Sequence, residues 1–140
     1  MKIFSVKSIP RMSWSSDKPL NFSPPPLTVL ILCVGLTLFG LGESLIITAG
    51  AGMSPWTVLA EGISLNVDLS IGIITFFVSL GVLFFWFFLN QKPGIGTLLN
   101  ALIVAVMIDV SIAYIPTPEN YISQLLLAIF GVLIVGLGSG

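Results

Sequence analysis

The chain has 140 residues, 56% of them hydrophobic and 8% charged, with a mean hydropathy of +1.10, whereas a soluble globular domain carries about 25% charged residues. This composition excludes a large soluble core, a disordered tail protein and a nucleic-acid binder, and points to a polytopic membrane protein. With no histidine and one cysteine, the chain alone builds no Cys/His zinc site, Ser-His-Asp or Cys-His catalysis, His-ligated haem or internal disulfide, and no cofactor is expected.

Residues 1–26 hold Lys2, Lys7, Arg11 and Lys18 against Asp17, a surplus of three positive charges. The remainder holds Lys92 against Glu43, Glu61, Asp68, Asp109 and Glu119, a deficit of four. Such a split reads as topology. The tail ends in Asn21-Phe22-Ser23-Pro24-Pro25-Pro26 and is expected to stay outside the bilayer, without regular structure, on the cytoplasmic side. It lacks an apolar run followed by a small-residue cleavage site, so the first span is expected to act as an uncleaved anchor.

A helix needs about 20 mostly apolar residues to cross hydrocarbon. Uncharged stretches therefore predict four spans, near 27–49, 70–89, 97–115 and 121–140. Lys92-Pro93-Gly94-Ile95-Gly96 and Pro116-Thr117-Pro118-Glu119-Asn120 are the turns that interrupt the helical runs. Between the first two spans, Ser54 is a good N-cap and Pro55 a good first helical residue, predicting a helix over 54–66. At about 1.5 Å per residue it reaches about 20 Å, too short for a core of about 30 Å. It is a half-helix, re-entrant or interfacial. Ser54, Thr57, Glu61 and Ser64 stack on one of its faces by their 3-4-3 spacing. The expected fold class is all-α, a four-span transmembrane bundle with one half-helix.

Sliding the chain by 96 residues aligns Gly35, Gly40, Leu41 and Gly42 with Gly131, Gly136, Leu137 and Gly138, in the pattern G-x-x-x-x-G-L-G. If the half-helix does not cross, the repeat is inverted. Gly136 with Gly140, and Gly40 with Ser44, read as small-residue pairs that let helix backbones meet.

The stretch from Gly52-Met53-Ser54-Pro55-Trp56-Thr57 to Glu61-Gly62-Ile63-Ser64, together with Phe39-Gly40-Leu41-Gly42, Leu69-Ser70-Ile71-Gly72 and Lys92-Pro93-Gly94-Ile95-Gly96-Thr97-Leu98-Leu99-Asn100, resembles the YczE/YyaS/YitT family of bacterial membrane proteins, closest to its YczE-like branch. The resemblance covers residues 27–140 and implies a multi-span inner-membrane protein without an agreed substrate. It also implies a continuation past the fourth span, so that this chain reads as truncated. The family often carries an acidic residue where this chain has Thr57 and an apolar one where it has Glu43.

Each candidate residue has two readings. Glu43, about 9 Å inside the end of span one by helix rise, is a proton or cation site, or a carboxyl reaching the interface or protonated in place. Glu61 faces a cavity with Ser54 and Thr57, or lies on a surface helix among headgroups. Asp109 is the ionisable residue of span three, about 180° from Asn100, which reads as packing glue. Phe76, Phe77, Phe84, Phe85, Phe87 and Phe88 suit lipid contact, and Cys33 reads as inert. The expected function is transporter-like, with a broken segment around Gly50 to Trp56 lining a substrate path that includes Ser54, Thr57, Glu61, Asp109 and Glu43. The alternative is a non-transporting accessory or regulatory protein acting through helix contacts, with the bilayer, partner helices or a second copy as its partners. With no activated nucleophile and no metal cluster in view, enzymatic activity is not expected.

Overall fold

The computed structural model describes residues 24–90 and 93–139, apart from the side chain of Phe87. The tail to residue 23, Lys92 and Gly140 lie outside the described residues. Five helices follow in order: α1 (Pro26–Ala49), α2 (Pro55–Val67), α3 (Ile71–Phe88), α4 (Ile95–Tyr114) and α5 (Tyr121–Ser139). These are the four apolar segments and the short helix expected from the sequence, displaced by no more than two residues at any end. α1, α4 and α5 are each long and apolar enough to cross a membrane. α2 and α3 are bent by 115° at their junction, a broken span or a re-entrant loop.

Local chemistry explains the boundaries. α1 starts on Pro26, where a missing N–H costs nothing, and ends at Gly50, whose φ of 64° turns its N–H back to the Ile47 carbonyl at 3.1 Å. Gly52 at φ 147° completes a break that a side chain would resist. α2 restarts on Ser54, whose hydroxyl accepts from the Thr57 N–H at 3.3 Å. Asp68, one of the few residue types that tolerates the left-handed region, ends α2 at φ 52°. Pro116 lies two residues beyond the last residue of α4, and the Asn120 side chain caps α5 by accepting from the Ser123 N–H at 2.9 Å.

Close backbone approach at glycines sets the packing. A β-carbon on Gly35 would stand 2.9 Å from the Gly138 carbonyl oxygen, and one on Gly42 would stand 2.8 Å from that of Gly131. Rising numbers in α1 meet falling numbers in α5, so the two helices are antiparallel. Gly40 faces Met107 and Val104, while Gly96 faces Leu32, so α4 runs parallel to α1. Gly72 brings the start of α3 against Ala105 and Asp109 of α4. The α2–α3 junction and the 116–120 loop therefore lie toward one end of the bundle.

The α1–α5 contact carries the sequence repeat in a specific way. The repeat equates Gly35 with Gly131 and Gly42 with Gly138, whereas the contacts join Gly35 to Gly138 and Gly42 to Gly131. Each glycine meets the counterpart of the other. That reciprocal pattern belongs to two equivalent elements related by a two-fold axis through their interface, and antiparallel helices make it an inverted repeat.

One expectation about this packing is corrected. Gly136 does not lie in a close helix contact among the described residues: none of them stands within 4 Å of where its β-carbon would be. Two residues turn a helix by about 200°, so Gly136 faces away from α1 because Gly138 faces it. By the same geometry Gly40 packs on α4 while Gly42 packs on α5. Ser44 is fully buried, and its hydroxyl donates to the Leu41 carbonyl at 2.6 Å.

Gly42→Leu is expected to collapse the α1–α5 contact and to lower the melting temperature in detergent sharply, because its side chain would meet the backbone of α5. Gly81→Leu, with open space around it, is expected to melt like the parent. Equal melting of the two variants would refute the assigned interface.

Candidate functional site

The break between α1 and α2 delivers two hydroxyls to a buried carboxylate. Glu43, on the last turns of α1, is 7% exposed. The Thr57 hydroxyl donates to its Oε2 at 2.8 Å. Ser54 lies 2.8 Å from the Thr57 hydroxyl and 3.4 Å from Oε2. Since Thr57 commits its one proton to Glu43, the shorter contact is Ser54 donating to Thr57, and the three side chains form a directed chain ending on the carboxylate. The N-terminus of α2, with its positive dipole end, lies beside it. Oε1 of Glu43 receives no hydrogen bond from the described residues.

This carboxylate borders a partly open cavity of about 300 Å³ lined by α1, α2, α3 and α4. Along α3 the wall runs from Thr75 through Ser79 to Trp86, and along α4 from Ile108 to Thr97. Both runs measure about 16 Å by helical rise. Phe39, Trp56 and Trp86 supply aromatic surface, and Asn100 and Thr97 supply polar groups near the far end. Thr75 is 4% exposed, and its hydroxyl has no hydrogen-bond partner.

Of the residues expected from the sequence to line a path, Glu43, Ser54 and Thr57 come together here. Glu61 and Asp109 do not line the cavity. Glu61 lies one helical turn beyond Thr57, where α2 has left α1 and leans on α3, so the polar stripe of α2 is divided. Asp109 serves a different purpose: its Oδ1 accepts from the Gly72 N–H at 2.8 Å and its Oδ2 from the Ser70 hydroxyl at 2.5 Å. Ser70 in turn accepts from the Ile73 N–H at 3.2 Å. The carboxylate of α4 thus satisfies the orphan donors at the start of α3, where a negative charge is favoured.

A family of unknown function, DUF6198, matches residues 27–140. The chain belongs to this family. An uncharacterised protein of Haemophilus influenzae is 32% identical to it over 134 residues, which is 96% of this chain and 61% of the relative. The uncharacterised membrane protein YczE of Bacillus subtilis is 31% identical over 110 residues, 76% of this chain and 50% of the relative. The chain therefore spans between half and three fifths of these relatives' lengths. No solved structure matches it. The resemblance seen in the sequence and the all-helical membrane fold agree with these relationships.

Sequence reasoning missed Thr75, Ser79, Trp86, Thr97 and Asn100 as members of the wall. The signal was present in α3, where positions 75, 79 and 86 fall at intervals of four and seven and share one face. The surrounding phenylalanines hid it. Phe77, Phe84, Phe85 and Phe88 are all exposed on the bundle surface, as expected for lipid contact, and they leave that narrower stripe to face inward. Asn100 was read as packing glue but lines the cavity.

Asp109→Ala removes acceptors from the first turn of α3. It is expected to cost about 1 to 2 kcal/mol of stability and to raise amide hydrogen exchange at residues 71–74 while leaving exchange in α5 unchanged. A uniform rise across the bundle would contradict this capping role.

Proposed function

We propose that this protein is a transporter-like integral membrane protein of the bacterial inner membrane, in which the broken segment at residues 50–56 lines the path of a small solute. The observation that carries this reading is the junction of Glu43, Ser54 and Thr57 at a helix break on the wall of a cavity. Non-helical backbone at membrane depth is tolerated where it is buried in protein or lines a water-filled cavity, and ionisable residues there mark solute or ion pathways. The cavity extends about 16 Å, roughly half of a hydrocarbon core of about 30 Å. Half-helix termini facing a substrate site are a recurring arrangement in secondary transporters. The orientation that goes with this reading puts the basic tail in the cytoplasm and the Glu43 end of α1 toward the outside.

A second reading, that of an accessory protein binding partner helices, draws on the open surface around Gly136. α5 buries far less of its length than α1 or α4, and Gly136 carries no neighbour on a face that could admit another backbone. Gly136→Leu would abolish such a complex without touching the cavity.

Cysteine labelling tests the solute-path reading on a Cys33→Ser background. Ser79→Cys and Asn100→Cys are expected to react with a small maleimide in intact membranes, because the cavity holds water, while lipid-facing Leu126→Cys stays unreactive. Unreactive cysteines at both 79 and 100 would remove the path.

A further inference from the structure

The chemistry of the cavity wall restricts what it takes. Glu43 is buried, and all five Lys and Arg residues of the chain lie at positions 2, 7, 11, 18 and 92, so among the described residues there is no cationic side chain to face it. A charge in a low-dielectric site is retained when it is paired and hydrogen-bonded. Thr57 supplies a hydrogen bond to Oε2, and Ser54 supports it by donating to Thr57. Oε1 is left for a partner that the described residues do not provide.

Further features define that partner. An organic anion would meet a carboxylate with no opposing cation, in a medium where like-charge repulsion is strong. A calcium ion takes six to eight oxygen ligands, and among the described residues no group of three acidic, His or Cys side chains could hold a metal ion. Trp56 and Phe39, at the Glu43 end of the cavity, instead present the aromatic surface that attracts alkylammonium groups, Trp most strongly. The cavity of about 300 Å³ is at the small end of sites for organic ligands.

We propose that the cavity binds a small organic cation, an alkylamine or quaternary ammonium compound, whose charged head pairs with Glu43 and whose alkyl groups pack on Trp56 and Phe39. This rests on the cavity being a solute site, as proposed above, and specifies its ligand class.

The test uses the full chain purified in detergent, titrated with choline and tetraethylammonium chloride by tryptophan fluorescence and calorimetry. Sodium glutamate and glucose serve as the anionic and neutral probes at matched ionic strength. The expected result is saturable binding of the two cations and of neither other probe, weakened about tenfold or more in Glu43→Gln. Phe39→Leu, one turn from Glu43 and leaving the carboxylate and its hydroxyl partners in place, is expected to weaken binding several-fold with an unchanged elution profile. It keeps the test decisive if Glu43→Gln misfolds. Cation binding that is equal in the parent and in both variants overturns the assignment, as does any failure of both cations to bind. Binding of glucose or glutamate in place of the cations overturns the ligand class and leaves the solute site standing. If no probe binds and Ser79→Cys also resists a maleimide, the solute site falls as well.

Discussion

Backbone-to-backbone contact along α1 governs the rest of the molecule. Gly35 and Gly42 draw α5 against one side, and Gly40 draws α4 against the other, each at distances that a β-carbon would make impossible. In lipid there is little hydrophobic gain from bringing apolar helices together, so association relies on van der Waals packing at small residues. With α1 held between two helices, its last turns have one open direction, toward α2 and α3. Glu43 points into that direction, where α2, α3 and α4 line the cavity with it.

Two membrane-embedded carboxylates have taken different roles in this setting. Asp109 lies beside the start of α3 and is used up by Gly72 and Ser70, so its charge joins two helices. Glu43 lies beside the start of α2, yet its bonds come from hydroxyls on one oxygen and its other oxygen is open. The difference follows from backbone approach. Gly72 lets the α3 amide reach Asp109 directly, whereas the 50–54 break sets α2 far enough from α1 for only side chains to bridge.

The reciprocal glycine contacts give the repeat a physical meaning that similarity along the chain lacks. Equivalent residues of α1 and α5 exchange partners across their interface, so the two helices are related as symmetry mates. Gly40 and Gly136 are equivalent in this relation, yet the first is covered by α4 and the second by nothing among the described residues. The bundle is thus symmetric at its central pair and asymmetric around it. The described residues supply a helix in the role of α4 to α1 alone.

The sequence by itself determined the solvent, the helices and their ends. Long uncharged stretches have no stable form in lipid other than helix, and Gly50, Pro55, Pro93 and Pro116 stop or start helices by covalent geometry wherever they stand. It also identified Ser54 as a cap, since capping is a local event. Only the tertiary structure decided which face of each helix meets which neighbour. Helical spacing places Gly40 and Gly42 on opposite sides of α1, but nothing local states which side α5 takes, and so Gly136 could not be known to lie open. The same holds for the carboxylates. Glu43, Glu61 and Asp109 look alike as single charges in apolar surroundings, and their roles separate only when the fold brings Ser54 and Thr57, 11 and 14 positions along the chain, to Glu43 and Gly72, 37 positions away, to Asp109. Such pairings depend on helix crossing and the direction of the chain, which composition and periodicity leave undetermined.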